Sequence, residues 1–98
     1  MTVPTRQHVI ETLRPHADEL RAAGMQALYL FGSVARGDAG PESDVDLFFE
    51  HRKGMGLEVL GLMHRIEDLM DYPVDVATRG SLHPALRANI ESEAVKIF

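Results

Sequence analysis

Hydrophobic positions along the chain switch several times between a helical and an extended spacing. Between Thr5 and Ala23, residues Val9, Leu13, Ala17 and Leu20 recur at three- and four-residue intervals, which predicts an amphipathic helix. Pro15 interrupts it, because proline lacks the N–H and its ring clashes with the preceding turn. The expectation is two short helices, the second starting near Pro15, or one kinked helix, with Gly24 as the stop. Ala27 to Phe31 is a short apolar run and reads as a buried strand. Gly32 and Ser33 open a brief helix ending near Gly37, and residues 37–43 are a loop by composition. Asp44 to Glu50 reads as a second strand. From Leu57 to Met70, residues Val59, Leu62, Met63, Ile66, Leu69 and Met70 share one helical face. Val74 to Thr78 is a third strand between Pro73 and Gly80. Pro84 to about Glu93 is a last helix, with Ala85, Leu86 and Ile90 as its expected inner face. The apolar tail, Ala94 to Phe98, suits a short edge strand. This order predicts an α+β fold, a small mixed β-sheet with helices packed on it.

The 98 residues suit one domain, spanning 1–98. A domain of this size buries about 60–70 % of the surface its unfolded chain exposes. That supports one core but no deep cavity, so a ligand is expected in an open cleft or against a partner chain. With 45 % hydrophobic and 26 % charged residues the composition is that of a soluble globular protein. No apolar run approaches a membrane span, and Met1 to Arg6 has no secretory pattern. Cysteine is absent, which excludes disulfides and thiolate metal sites and is compatible with a cytoplasmic location. The net charge of −5 disfavours DNA, whose binders carry a basic face, and suits a basic protein partner or simple solubility.

Candidate chemistry concentrates in Ser43-Asp44-Val45-Asp46-Leu47. Side chains alternate along a strand, so Asp44 and Asp46 project from one face and Val45 and Leu47 from the other. Two carboxylates within ~7 Å repel one another unless a cation lies between them. All-oxygen ligands of this kind suit Mg²⁺, with Mn²⁺ as a substitute. Asp75 stands between Val74 and Val76, an unusual neighbourhood for an aspartate. If its strand neighbours the second one, the three carboxylates can hold two metal ions and position an attacking hydroxyl. Taken alone, the pair is also what a strand start with one solvent-facing aspartate looks like.

Upstream lies Gly32-Ser33-Val34-Ala35-Arg36-Gly37, directly after the first strand. Glycine permits close backbone approach to a ligand, and a helix start offers unpaired N–H groups to a phosphate. Ser33 adds a hydroxyl, and Arg36 a permanent charge that forks onto phosphate. The alternatives are a plain strand–turn–helix with Ser33 as N-cap, and an Arg36 ion pair to Asp38, Glu42 or one of the aspartates. Neither a P-loop nor a dinucleotide fingerprint is present.

The turn, the D-x-D strand and the later isolated aspartate together resemble the minimal nucleotidyltransferases of the DNA polymerase β superfamily, whose motifs are G-S-x-A-R-G, then S-D-x-D-L, then a single Asp in an apolar strand. No motif position departs, and the resemblance spans essentially the whole chain. It implies the polymerase-β-type fold and transfer of a nucleoside monophosphate, AMP from ATP, to a hydroxyl acceptor. It implies that Gly32 and Ser33 hold the triphosphate and that Asp44 and Asp46 bind metal. Asp75 would complete the site and help activate the acceptor, and Arg36 would lie by the phosphates or brace the loop. It also implies a HEPN-class protein partner, a toxin that the chain would modify as antitoxin, with a possible oligomer of the two. A rival expectation is a non-catalytic module that neutralises its partner by binding alone. A small-molecule-modifying nucleotidyltransferase is disfavoured, because the extra acceptor-binding domain is missing.

The five histidines, His8, His16, His51, His64 and His83, lack metal-ligand spacing and read as surface or structural. Met55, Met63 and Met70 read as core fillers, Tyr29 and Tyr72 as packing residues, and Arg79 as solvated.

Overall fold

The computed structural model describes residues 3–98. Thr5 caps the first helix, its side-chain oxygen accepting from the His8 amide, and α1 runs Arg6–Leu13. Pro15 then falls in a 3₁₀ turn, Arg14–His16, before α2, Ala17–Ala22. The break expected at Pro15 is therefore real, and the second helix begins two residues past it. Gly24 reverses the chain at φ +112°, leading into β1, Met25–Phe31. The short α3, Gly32–Arg36, ends at Gly37 in the left-handed conformation. A loop leads to β2, Val45–His51, followed by α4, Glu58–Leu69, and β3, Val74–Thr78. A 3₁₀ turn, Arg79–Ser81, precedes α5, Pro84–Glu93, and β4, Val95–Lys96.

The four strands form one mixed sheet in the order β3-β2-β1-β4. β1 is antiparallel to both β2 and β4, and β2 is parallel to β3. Register sorts the residues onto two faces. Leu28 pairs with Phe49, Leu30 with Leu47, and Leu47 with Val76, so these share one face. That face carries the main core, closed by Val9 and Leu13 of α1, Leu20 of α2, and Leu62 and Ile66 of α4, all at most 3 % exposed. Helix α4 thus buries the apolar stripe its spacing predicts. Glu19 and Arg65 add a 2.5 Å ion pair between α2 and α4.

The opposite face carries Tyr29, Phe31, Asp46, Phe48, Asp75 and Ala77. Tyr29 stacks on Phe48 with ring centroids 4.8 Å apart, which makes it a packing residue. Helix α5 lies on this side, against α3 and β1.

The expected inner face of α5 holds only in part: Ala85 and Leu86 are exposed, while Ile90 is half-buried. No residue of α5 is buried, and Leu86 is 54 % exposed. Polar contacts also hold the helix. Glu91 pairs with Arg79 at 2.9 Å and Glu93 with Arg36 at 3.1 Å. Arg79, read as solvated, is bound by Glu91 and by Glu50. The tail is as expected: Val95 and Lys96 add a strand to β1, and Ile97 and Phe98 are buried.

Candidate active site

The parallel pairing of β2 and β3 sets Asp46 directly opposite Asp75. The sequence leaves their adjacency conditional; the strand order makes it a fact of the fold. Asp44 sits one residue before β2 and is exposed, as is Asp75, while Asp46 is half-buried. Burial pushes the Asp46 carboxyl above the usual aspartate range, and the charges of Asp75 and Asp44 push the same way. Arg36 opposes this from the other side of the turn, and Glu93 adds to it. Asp46 is thus the centre of a negative cluster drawn from β2, β3 and the end of α5.

The Gly32–Gly37 turn stands against the same carboxylate. Gly32 adopts φ +75°, and a β-carbon built there would overlap Asp46 Oδ2 and come within 3.1 Å of Asp46 Cγ. Glycine is required twice over, by its backbone conformation and by the space that Asp46 fills. Phe31, which pairs with Asp46 across the sheet, occupies the cap position of α3 without a side-chain cap bond. Ser33 is therefore not the N-cap that the plain-turn alternative assigned to it.

Arg36 is committed to carboxylates. Its Nε donates to Asp38 at 3.3 Å and its Nη1 to Glu93 at 3.1 and 3.3 Å. The Asp38 pairing is among those the sequence allowed. Glu93 is a residue sequence reasoning missed, and it also accepts the Gly32 amide at 3.1 Å. Its only sequence signal was an acid at the end of a helix, 61 residues away from the turn it touches.

Among the described residues, no three acidic or histidine side chains converge into a ready-made metal cluster. Asp46 and Asp75 are neighbours, and Asp44 lies exposed just before the same strand as Asp46. The donor set is all carboxylate oxygen, which fits a hard divalent cation. The histidines stay outside the site: His8 meets Asp71 at 2.9 Å, and His83 caps α5. Two concavities lie away from the carboxylates. One of about 600 Å³ runs along α1 beside Arg6, Ile10 and Arg14, and one of about 260 Å³ lies beside Arg79 and Glu50.

Comparison with known proteins agrees with this fold. Residues 11–97 match the model of the nucleotidyltransferase domain family. The protein adenylyltransferase MntA of Thermococcus cleftensis is 30 % identical over 99 % of this chain and 100 % of its own length. A solved structure described as a minimal nucleotidyltransferase superposes with TM-score 0.68 at 33 % identity, covering 88 % of this chain and 93 % of that one. A chain from a solved complex of a tri-AMPylated Shewanella oneidensis HEPN toxin with MNT antitoxin shares the fold. Its TM-score is 0.61 at 17 % identity, over 91 % of this chain and 71 % of that one. The chain belongs to the nucleotidyltransferase domain family and is a nucleotidyltransferase of the minimal kind.

Proposed function

We propose that this chain transfers AMP from ATP to a hydroxyl group of a HEPN-type protein partner, and so acts as an antitoxin. The observation that carries the donor side is the placement of Asp46. It lies beside Asp75 on the neighbouring strand and against the glycine of the turn, so carboxylates and turn face one small volume. The partner side rests on relatives: one named protein adenylyltransferase MntA, and one fold relative solved with an AMPylated HEPN toxin.

In this reading the Gly32 amide, the Ser33 hydroxyl and Arg36 bind and orient the triphosphate. Asp44, Asp46 and Asp75 hold Mg²⁺, in one or two ions, with Mn²⁺ as a substitute. Bound there, such a cation would supply charge neutralisation at the phosphates and would make the acceptor hydroxyl more acidic. Asp75, exposed at the edge of the sheet, takes the proton of the acceptor hydroxyl. The acceptor oxygen bonds to the α-phosphorus, the bond to the bridging oxygen breaks, and pyrophosphate leaves. Catalysis is then mainly positioning and charge neutralisation. Asp44 and Asp75 are both exposed, which suits an acceptor delivered on another protein's surface.

The test is transfer from labelled ATP to the co-purified partner, read by mass spectrometry as added AMP. The wild-type chain with Mg²⁺ is expected to modify the partner, and a folded Asp44→Asn/Asp46→Asn variant to leave it unmodified. Wild-type-like transfer by that variant would overturn the mechanism. A partner that binds tightly yet is never modified by the wild type would overturn the enzymatic reading in favour of neutralisation by binding.

A further inference from the structure

We propose that Glu93 competes with the nucleotide for the donors of the Gly32–Arg36 turn, so that nucleotide binding displaces the end of α5. The inference rests on the reading of that turn as the triphosphate site. The Gly32 amide carries one hydrogen, and Glu93 Oε1 accepts it at 3.1 Å. Arg36 Nη1 donates to both oxygens of the same carboxylate. These are donors that an incoming phosphate would use. A carboxylate offers them what a phosphate offers, a negative charge spread over oxygens that accept from a backbone amide and a guanidinium.

The two anions exclude each other by charge as well as by hydrogen-bond count. Glu93 already adds to the negative field at Asp46, together with Asp75 and Asp44. A triphosphate placed on the same donors with Glu93 still in position would add its charge to that cluster. Withdrawal of Glu93 removes the conflict and frees both donors.

The way α5 is held makes withdrawal a low-cost step. The helix fully buries no residue and only half-buries Ile90, and its last residue, Glu93, meets Arg36 where the two side chains are 28 % and 48 % exposed. A pair that exposed shifts an equilibrium by about fivefold at most. Its other anchors are the Glu91–Arg79 pair and long bonds from Arg87 Nη2 to the carbonyls of Gly80 and Leu82. Beyond α5, Ile97 donates to Leu28 and Phe98 is buried, so the tail stays fixed while the helix end moves. Segments with few buried apolar contacts and exposed polar anchors open first.

Two measurements on the full chain with Mg²⁺ and a non-hydrolysable ATP analogue test this. Calorimetric titration compares the wild type with Glu93→Gln and Glu93→Ala. Both variants are expected to bind more tightly, by up to about fivefold. Hydrogen exchange of the wild type is expected to speed up in residues 84–93 when the analogue is added. The first readout alone would also respond to simple loss of a negative charge, whereas the second responds only to release of the helix. Unchanged or weaker binding by both variants, or unchanged or slower exchange in α5, overturns the proposal. The exchange measurement needs no variant and decides even where a variant fails to fold. A wild type that binds no nucleotide overturns the assignment of the turn itself, a result distinct from failure of the competition.

Discussion

The carboxylate of Asp46 occupies the space that a β-carbon on Gly32 would need. This contact joins the two motifs of the chain, because it brings the D-x-D strand against the turn after β1. Gly32→Ala is therefore expected to destabilise the protein by about 1–3 kcal/mol, through a strained positive φ and a displaced carboxylate. Transfer should be lost even where the variant folds. Urea denaturation with a parallel transfer assay checks both, and an active, fully stable variant would contradict the geometry.

Asp46 is also a place where function works against stability. Its carboxyl is held above the ordinary value by burial and by the charges of Asp75 and Asp44. The folded protein thus holds this proton more tightly than the unfolded chain does. Its contribution to stability is full below the unfolded value and declines as pH rises through the raised folded one. At neutral pH the ionised group is a net cost. Asp46→Asn should therefore raise the stability of the metal-free protein at pH 7, by no more than about 1 kcal/mol after allowance for solvent screening. Over a domain of this size that is at most about 4–8 °C in Tm. The gain should shrink as pH falls toward the carboxylate range, and thermal melts at several pH values show whether it does.

The same shift sets an acid limit on activity. If Asp46 holds metal as proposed, protonation removes its charge as a ligand, and it protonates at a higher pH than an ordinary aspartate. Where metal is limiting, the acid limb of kcat/KM should therefore lie higher than an unperturbed aspartate would give. Asp75→Asn removes one of the charges that raise Asp46, and whatever activity it retains should have an acid limb moved downward. An unmoved limb would mean that another group controls it.

Exposure of α5 makes a contrasting pair of predictions for stability. Leu86→Ala should change stability by no more than about 0.5 kcal/mol, because the side chain is 54 % exposed. Leu47→Ala, at 0 % exposure in the centre of β2, should cost about 2–5 kcal/mol. Chemical denaturation of the two variants side by side checks the correction made to α5. A large loss from Leu86→Ala would restore the buried face that the sequence suggested.

Local signals in the sequence were sufficient for the elements themselves. The apolar run of β1, the alternation at the start of β2, the helical stripe from Val59 to Met70, the break at Pro15 and the stops at Gly24 and Gly37 all act within a few residues, and each appears in the structure. The same period of two determined that Asp46 faces away from Val45 and Leu47. Strand order lay beyond such signals. That β2 runs parallel to β3, with Asp46 opposite Asp75, follows from the crossover through α4 and its packing on the core. Tertiary structure alone also placed Glu93 on Gly32 and Arg36, and turned Leu86 outward. Those outcomes depend on contacts between residues tens of positions apart, and no local period encodes which distant polar group will satisfy an amide or a guanidinium.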